Sequence, residues 1–106
     1  MAEKRKALVA DDMESNRNAI KAFLFFFSFN VDLAKDGLEA KALFEKNKYD
    51  LVFSDIEMPN MNGFELLTWV RRSSENRTVP MVMLSSLDSP RGDRTMQANW
   101  GYRLHR

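Results

Sequence analysis

The stretch Leu51–Gly63 reads LVFSDIEMPNMNG. Its apolar lead, Leu51-Val52-Phe53, passes through Ser54 and stops on a carboxylate, Asp55. Pro59 and Gly63 follow within eight residues. An apolar run of this length, closed by turn residues, reads as a strand buried on both faces, the form found in parallel sheets. That strand is placed over Tyr49–Ser54. A buried strand ending on an acid raises a question that only the rest of the chain answers.

Outward from this stretch the pattern alternates. Ala7-Leu8-Val9-Ala10 is a second continuous apolar run, and it ends on Asp11-Asp12. Between Glu14 and Phe27 the residues Ile20, Phe23, Leu24 and Phe27 recur at helical spacing. Phe29–Ala34 alternates and reads as a strand. Asp36-Gly-Leu-Glu39 has the form of a capping box; the helix it opens carries Leu38, Ala42 and Leu43 and ends near Asn47. Phe64–Arg72 reads as a helix with Phe64, Leu67, Trp69 and Val70 as its apolar positions. Pro80–Ser85, PMVMLS, is a fourth strand. Strands alternating with helices predict an α/β fold, a doubly wound parallel sheet with helices on both faces. There is no internal repeat and no linker, so residues 1–106 form one domain.

Composition excludes several function classes. A chain of 106 residues, 44% hydrophobic and with a net charge of +1, builds one core and presents no basic field to nucleic acid or an anionic membrane. The absence of cysteine rules out a disulfide framework and thiolate zinc sites. Ala7–Ala10 is too short for a signal-peptide core, and Ala22–Phe29 is far short of a membrane span. The expectation is a cytoplasmic protein.

Doubly wound sheets carry their chemistry at the carboxyl ends of the strands. Asp11-Asp12, Asp55 and Ser85-Ser86 all fall there. Crowded carboxylates repel one another, and an oxygen-only ligand set favours a hard divalent ion, Mg²⁺. A carboxylate beside such a metal can accept a phosphoryl group as an acyl phosphate. A nearby hydroxyl can hydrogen-bond the phosphate oxygens. Pro59 holds the loop after Asp55, Gly63 permits a turn before the next helix, and the Glu57 carbonyl could then face the metal.

The acid pair in LVADD, Asp55 in DLVFSDIEMPNMNGFELL and Ser85 in PMVMLSS together resemble the response-regulator receiver domain, the phosphoacceptor module of two-component signalling, in its chemotaxis-receiver-like form. The resemblance runs from Lys6 to about Ser89. It implies a flavodoxin-like fold, with Asp55 phosphorylated by a histidine kinase or phosphotransfer protein. It implies Mg²⁺ held by Asp12 and Asp55, with Asp11 acting through water and the Glu57 carbonyl completing the protein's share. Ser85, with Ser86 beside it, would contact the phosphoryl group. The module would not be an enzyme beyond its own phosphorylation and dephosphorylation. Its output would run through protein contacts to a downstream partner the sequence does not name. The alternative is a degenerate or truncated receiver acting as a non-phosphorylated interaction or dimerisation module. An acid pair after a strand is also a common helix-start feature; it is the combination with Asp55 that carries the reading.

Two regions fit less well. Receiver domains end on a fifth strand with a Lys-Pro and a fifth helix, but this chain has no lysine after Lys48. Overlaid with a two-residue deletion, GYRLHR puts Tyr102 at the family's aromatic switch position and His105 in place of its lysine. Four strands are clear; the fifth strand and fifth helix read as degenerate or missing, and the chain is atypical from about residue 90. Ser89-Pro90 looks like a helix start. Elements exchanged between two copies would complete the fold as a domain-swapped homodimer. The second region is the run of Phe23, Phe25, Phe26, Phe27 and Phe29. Phe23 and Phe27 are expected inward, with Phe25 or Phe26 partly exposed at a rim contact. A partner or dimer surface is the competing expectation.

Overall fold

The computed structural model describes residues 4–72, 75–85 and 102–105. The elements follow the order β1 (Arg5–Ala10), α1 (Glu14–Phe26), β2 (Phe29–Ala34), α2 (Gly37–Lys46), β3 (Leu51–Asp55), α3 (Gly63–Arg72), β4 (Met81–Ser85) and β5 (Tyr102–His105). The strands form one sheet in the order β2-β1-β3-β4-β5, and every pairing is parallel. The chain runs from β1 outward to β2 and then crosses back over β1 to β3. Right-handed crossovers therefore put α1 on one face of the sheet and α2 and α3 on the other.

The continuous apolar strands follow from this layering. Ala7, Leu8, Val9 and Ala10 are all fully buried. Leu8 and Ala10 belong to the core under α2 and α3, and Ala7 and Val9 to a smaller one under α1. A side-chain period of two sends alternate residues to opposite faces, so both must be apolar.

Helix phase differs from expectation in two places. In α2 the buried residues are Gly37, Ala40 and Phe44, whereas Leu38 is 52% exposed and Ala42 is exposed too. The start of α2 is pinned by close packing of Gly37, where an added Cβ would collide with the Met61 carbonyl oxygen. That contact turns Ala40 and Phe44 toward the core. In α1 the inward residue is Leu24, packed with Ala7 and Val9. At about 100° per residue, Phe23 and Phe27 fall to one side of that direction. Neither is inward: they are 58% and 64% exposed, and their rings meet at a tilt of 57° with centroids 5.1 Å apart.

The fifth strand is short. Its four residues pair with β4, setting Tyr102 opposite Val82 and His105 opposite Ser85. The edge beside β4 is thus occupied by a segment of the same chain. Ser86 and the helix start expected at Ser89-Pro90 lie outside the described residues.

Candidate functional site

The order of the strands decides where the acids meet. β1 and β3 are neighbours, and the chain leaves them toward opposite faces, so a crevice opens between their carboxyl ends. Asp11 follows β1 directly and is fully buried; Asp55 closes β3 and is 4% exposed; Asp12 is exposed. Carboxylate oxygens of all three lie within 4.8 Å of one another. At that separation two negative charges repel by about 3 kcal/mol at an effective dielectric of ~20. Three oxygen donors, two at the floor and one at the mouth, suit a hard divalent cation that keeps several waters, as Mg²⁺ does.

Local hydrogen bonds fix the floor. The Asp11 amide donates to the Ala34 carbonyl at 3.0 Å, and Asp11 Oδ1 accepts from the Met13 amide at 2.9 Å. Arg17 Nη1 donates to the Asp11 carbonyl at 2.7 Å, tying the first turns of α1 to the strand end. Beside Asp55, the Ile56 amide continues the ladder to the Leu84 carbonyl at 2.9 Å, and Ser54 Oγ donates to the Asp55 carbonyl at 3.0 Å. The Glu57 amide approaches Asp55 Oδ1 at 3.4 Å.

The loop after Asp55 is more organised than Pro59 and Gly63 alone suggest. The Pro59 carbonyl accepts from the Met61 amide at 2.7 Å. Gly63 does not take a left-handed turn. It begins α3 against the end of β3, where an added Cβ would collide with the Asp55 carbonyl oxygen. The left-handed residue is Asn60, with φ of 70°. Asn62 and Glu65 cap α3 reciprocally at 2.8 and 2.9 Å. Asp36, the N-cap of α2, accepts from the Glu39 amide at 2.8 Å and from Asn60 Nδ2 at 2.9 Å. The start of α2 is thus fastened to the loop that follows Asp55. The Glu39 amide, helped by Asn60, holds the Asp36 carboxyl below its ordinary range against the opposing effect of burial. Asn60 escaped sequence reading; the signals were an Asn in a turn-rich loop and a capping Asp with a second oxygen to satisfy.

Ser85 ends β4, is 3% exposed, and stands one residue beyond Leu84, the register partner of Asp55. His105 sits opposite Ser85 in register, at the same end of the sheet. Tyr102 lies at the other end of β5, opposite Val82. The structure thus brings Asp11, Asp12 and Asp55 together and places Ser85 and His105 on the adjacent strand ends.

Residues 7–102 match the family model of the response regulator receiver domain. The chain belongs to this family. The receiver domain is 38% identical over 86 residues to the sensor protein EvgS of Escherichia coli, which covers 81% of this chain and 7% of that one. It is 34% identical over 89 residues to the response regulator PleD of Caulobacter vibrioides, covering 84% of this chain and 19% of that one. Among solved structures, the chemotaxis response regulator CheY4 of Vibrio cholerae matches with a TM-score of 0.76 at 35% identity, over 86% of this chain and 76% of that one. The chain therefore spans a minor part of the length of these curated relatives. Among the described residues, no helix is long and apolar enough to cross a membrane.

Proposed function

We propose that this receiver domain is a phosphoacceptor switch in which Asp55 takes a phosphoryl group from a histidine kinase or phosphotransfer protein. The convergence of three carboxylates within 4.8 Å, one of them at the end of a buried strand, carries this reading. Asp12 and Asp55 would hold Mg²⁺, with Asp11 close by and the Glu57 carbonyl as a further ligand. When bound, the ion neutralises the crowded acids and offsets charge on the incoming phosphoryl oxygens. A carboxylate oxygen of Asp55 bonds to phosphorus as the phosphohistidine P–N bond breaks, and the imidazole leaves with the electron pair. Ser85, with Ser86 beside it, would receive the phosphoryl oxygens, and Tyr102 and the β4–β5 edge would report them. The domain transfers no group onward as an enzyme; its output is a changed protein contact in the cytoplasm.

His105 pairs with Ser85 in register, and the overlay of GYRLHR on the family's ending, with a two-residue deletion, would put it in place of the family lysine. An imidazole near neutral pH carries only part of the positive charge of an ammonium. The relay from phosphate to β5 is therefore weaker here than the chemistry at Asp55. The test is incubation with acetyl phosphate, with and without Mg²⁺, followed by intact mass and peptide mapping. A single phosphoryl addition that maps to Asp55, needs Mg²⁺ and disappears in Asp55→Asn is the expected result. Absence of any addition, or its persistence in the variant, would leave the non-phosphorylated interaction module as the better reading.

A further inference from the structure

The sheet itself sets where Asp11 and Asp55 stand. β1 and β3 pair with Ala10 opposite Ser54, so the two acids leave the sheet side by side. The Glu57 carbonyl has no such support. It lies on the loop between β3 and α3, two residues past the end of the strand. The bond from the Gly63 amide to the Ile56 carbonyl closes the neck of that loop at 2.8 Å, and Met58 is packed into the core. The tip, residues 59–61, rests on the first turn of α2.

Three contacts tie that turn to both sides of the crevice. The Ala34 carbonyl, at the end of β2, accepts from the Asp11 amide at 3.0 Å. Two residues on, Asp36 is 8% exposed and divides its carboxylate. Oδ1 accepts from the Glu39 amide at 2.8 Å, and Oδ2 accepts from Asn60 Nδ2 at 2.9 Å. Gly37 then packs so closely on the Met61 carbonyl that a Cβ has no room. Residues 34–37 therefore run from the backbone of one acid to the loop behind the other.

Helix capping accounts for only one of the Asp36 oxygens, and serine or asparagine would cap as well. The second oxygen reaches out of the helix to a residue 24 positions away. Asn60 meets it from a φ of 70°, a region where glycine would sit with less strain. What asparagine adds there is its side chain, and that side chain is the donor to Asp36. The Asp36 carboxyl is held below its ordinary range, so near neutral pH the acceptor is ionised and the bond is charge-assisted.

We infer that Asp36 and Asn60 are positioning residues for the phosphoryl site. Their bond makes the start of α2 a strut that holds the loop tip, and through it the Glu57 carbonyl, in a fixed relation to Asp11. The inference rests on the reading of the rim as a Mg²⁺ and phosphoryl site. Neither residue touches the ion or the reacting atoms. Their contribution is preorganisation: a loop fixed beforehand does not have to be ordered when the ion binds.

The test is the Mg²⁺ affinity of the full chain, read from amide NMR shifts at residues 11–13. The rate of phosphoryl addition from acetyl phosphate and the stability to urea are measured beside it. Asn60→Gly is the leading variant, because it keeps the net charge and the left-handed backbone and removes only the donor. It should weaken Mg²⁺ binding roughly three- to tenfold, the share of one hydrogen bond. At subsaturating Mg²⁺ it should slow phosphoryl addition by a similar factor. Asp36→Ser keeps a capping oxygen without the reach. Asn60→Gly should add little on top of it, since both changes cut the same bond. Asp36→Asn combined with Asn60→Asp exchanges donor and acceptor, and should recover affinity to within about twofold of the native chain. Asn76→Ala acts at the opposite end of β3, beside Tyr49 and Asn47. It should lower stability and leave Mg²⁺ affinity unchanged, which separates positioning from a general loss of stability. Native affinity in Asn60→Gly, independent effects of the two single changes, or no recovery in the exchanged pair would overturn the inference. A native chain that binds Mg²⁺ but takes no phosphoryl group would remove the phosphoacceptor reading alone, with the strut still decided by affinity. A native chain that binds no Mg²⁺ would overturn both.

Discussion

The two faces of the sheet are built to different standards. Among the described residues, the core under α2 and α3 holds fifteen that are buried, from Leu8 and Ala10 to Met81 and Met83. Under α1 the described residues supply three, Ala7, Val9 and Leu24, with Ile20, Leu33, Leu51 and Phe53 among the partly buried residues around them. The site lies between these halves, at the strand ends. The comparison teaches where rigidity and adaptability sit. The α2–α3 face fixes the loop after Asp55 through Gly63, Asn60 and Asp36, while on the α1 face Phe23, Phe25, Phe26 and Phe27 are exposed among the described residues.

The sharpest way to break this contrast is to empty each face in turn. Leu66→Ala opens a cavity at a fully buried position and should cost about 2–5 kcal/mol in urea unfolding. Phe27→Ala, at a residue 64% exposed, should cost under about 1 kcal/mol at protein concentrations where the chain is monomeric. Equal losses would mean that the α1 face is packed as tightly as the other.

The polar staple of the well-packed face is the next largest effect. Asn76 is buried, accepts from the Tyr49 amide at 2.8 Å, and donates to the Phe44 and Asn47 carbonyls at 3.2 and 2.8 Å. Asn76→Ala leaves these groups unpaired and should cost roughly 2–3 kcal/mol. A loss under half of that would show that water replaces the amide.

Asp36 sharpens the comparison by pH. Its carboxyl is held low by the Glu39 amide, so its stabilisation is present above the unfolded-state value and is lost as pH falls through the folded one. Acid unfolding of the native chain should therefore be steeper than that of Asp36→Asn, which keeps a side-chain oxygen to cap the helix but no carboxyl to titrate. Parallel acid profiles would remove Asp36 from the account. The smallest effect belongs to the α1 side, where Ser28 follows the helix with φ of 66°. Ser28→Gly should stabilise by up to about 1 kcal/mol by relieving a left-handed conformation.

Much of this was legible in the sequence because it rests on short-range pattern. Two continuous apolar runs ending on acids were enough to place Asp11, Asp12 and Asp55 on one rim, since a parallel sheet delivers its strand ends together. The Asp36 cap on the Glu39 amide also formed as read, while the Glu39 side chain accepts from the Lys35 amide rather than from that of Asp36. What the pattern did not hold was phase. Leu38 and Phe44 lie six residues apart in an amphipathic segment, and only the contact of Gly37 with Met61 decides which points inward. Phe23 and Phe27 look like core residues, but the small Ala7 and Val9 below them seat Leu24 instead. Asn60 reaches Asp36 across 24 residues, a contact that no local spacing encodes. The β5 strand is four residues long, read in the sequence only through the overlay of GYRLHR on the family's ending, and its pairing with β4 is what reveals it.

The central claim is that the rim of Asp11, Asp12 and Asp55 is a working phosphoryl site. Amide NMR of the full chain with Mg²⁺ and beryllofluoride, a phosphoryl mimic, tests it most directly. The account predicts large shifts confined to Asp11–Met13, Asp55–Glu57 and Ser85, absent without Mg²⁺ and absent in Asp55→Asn, with smaller changes reaching β5. A spectrum unchanged at those residues would contradict it.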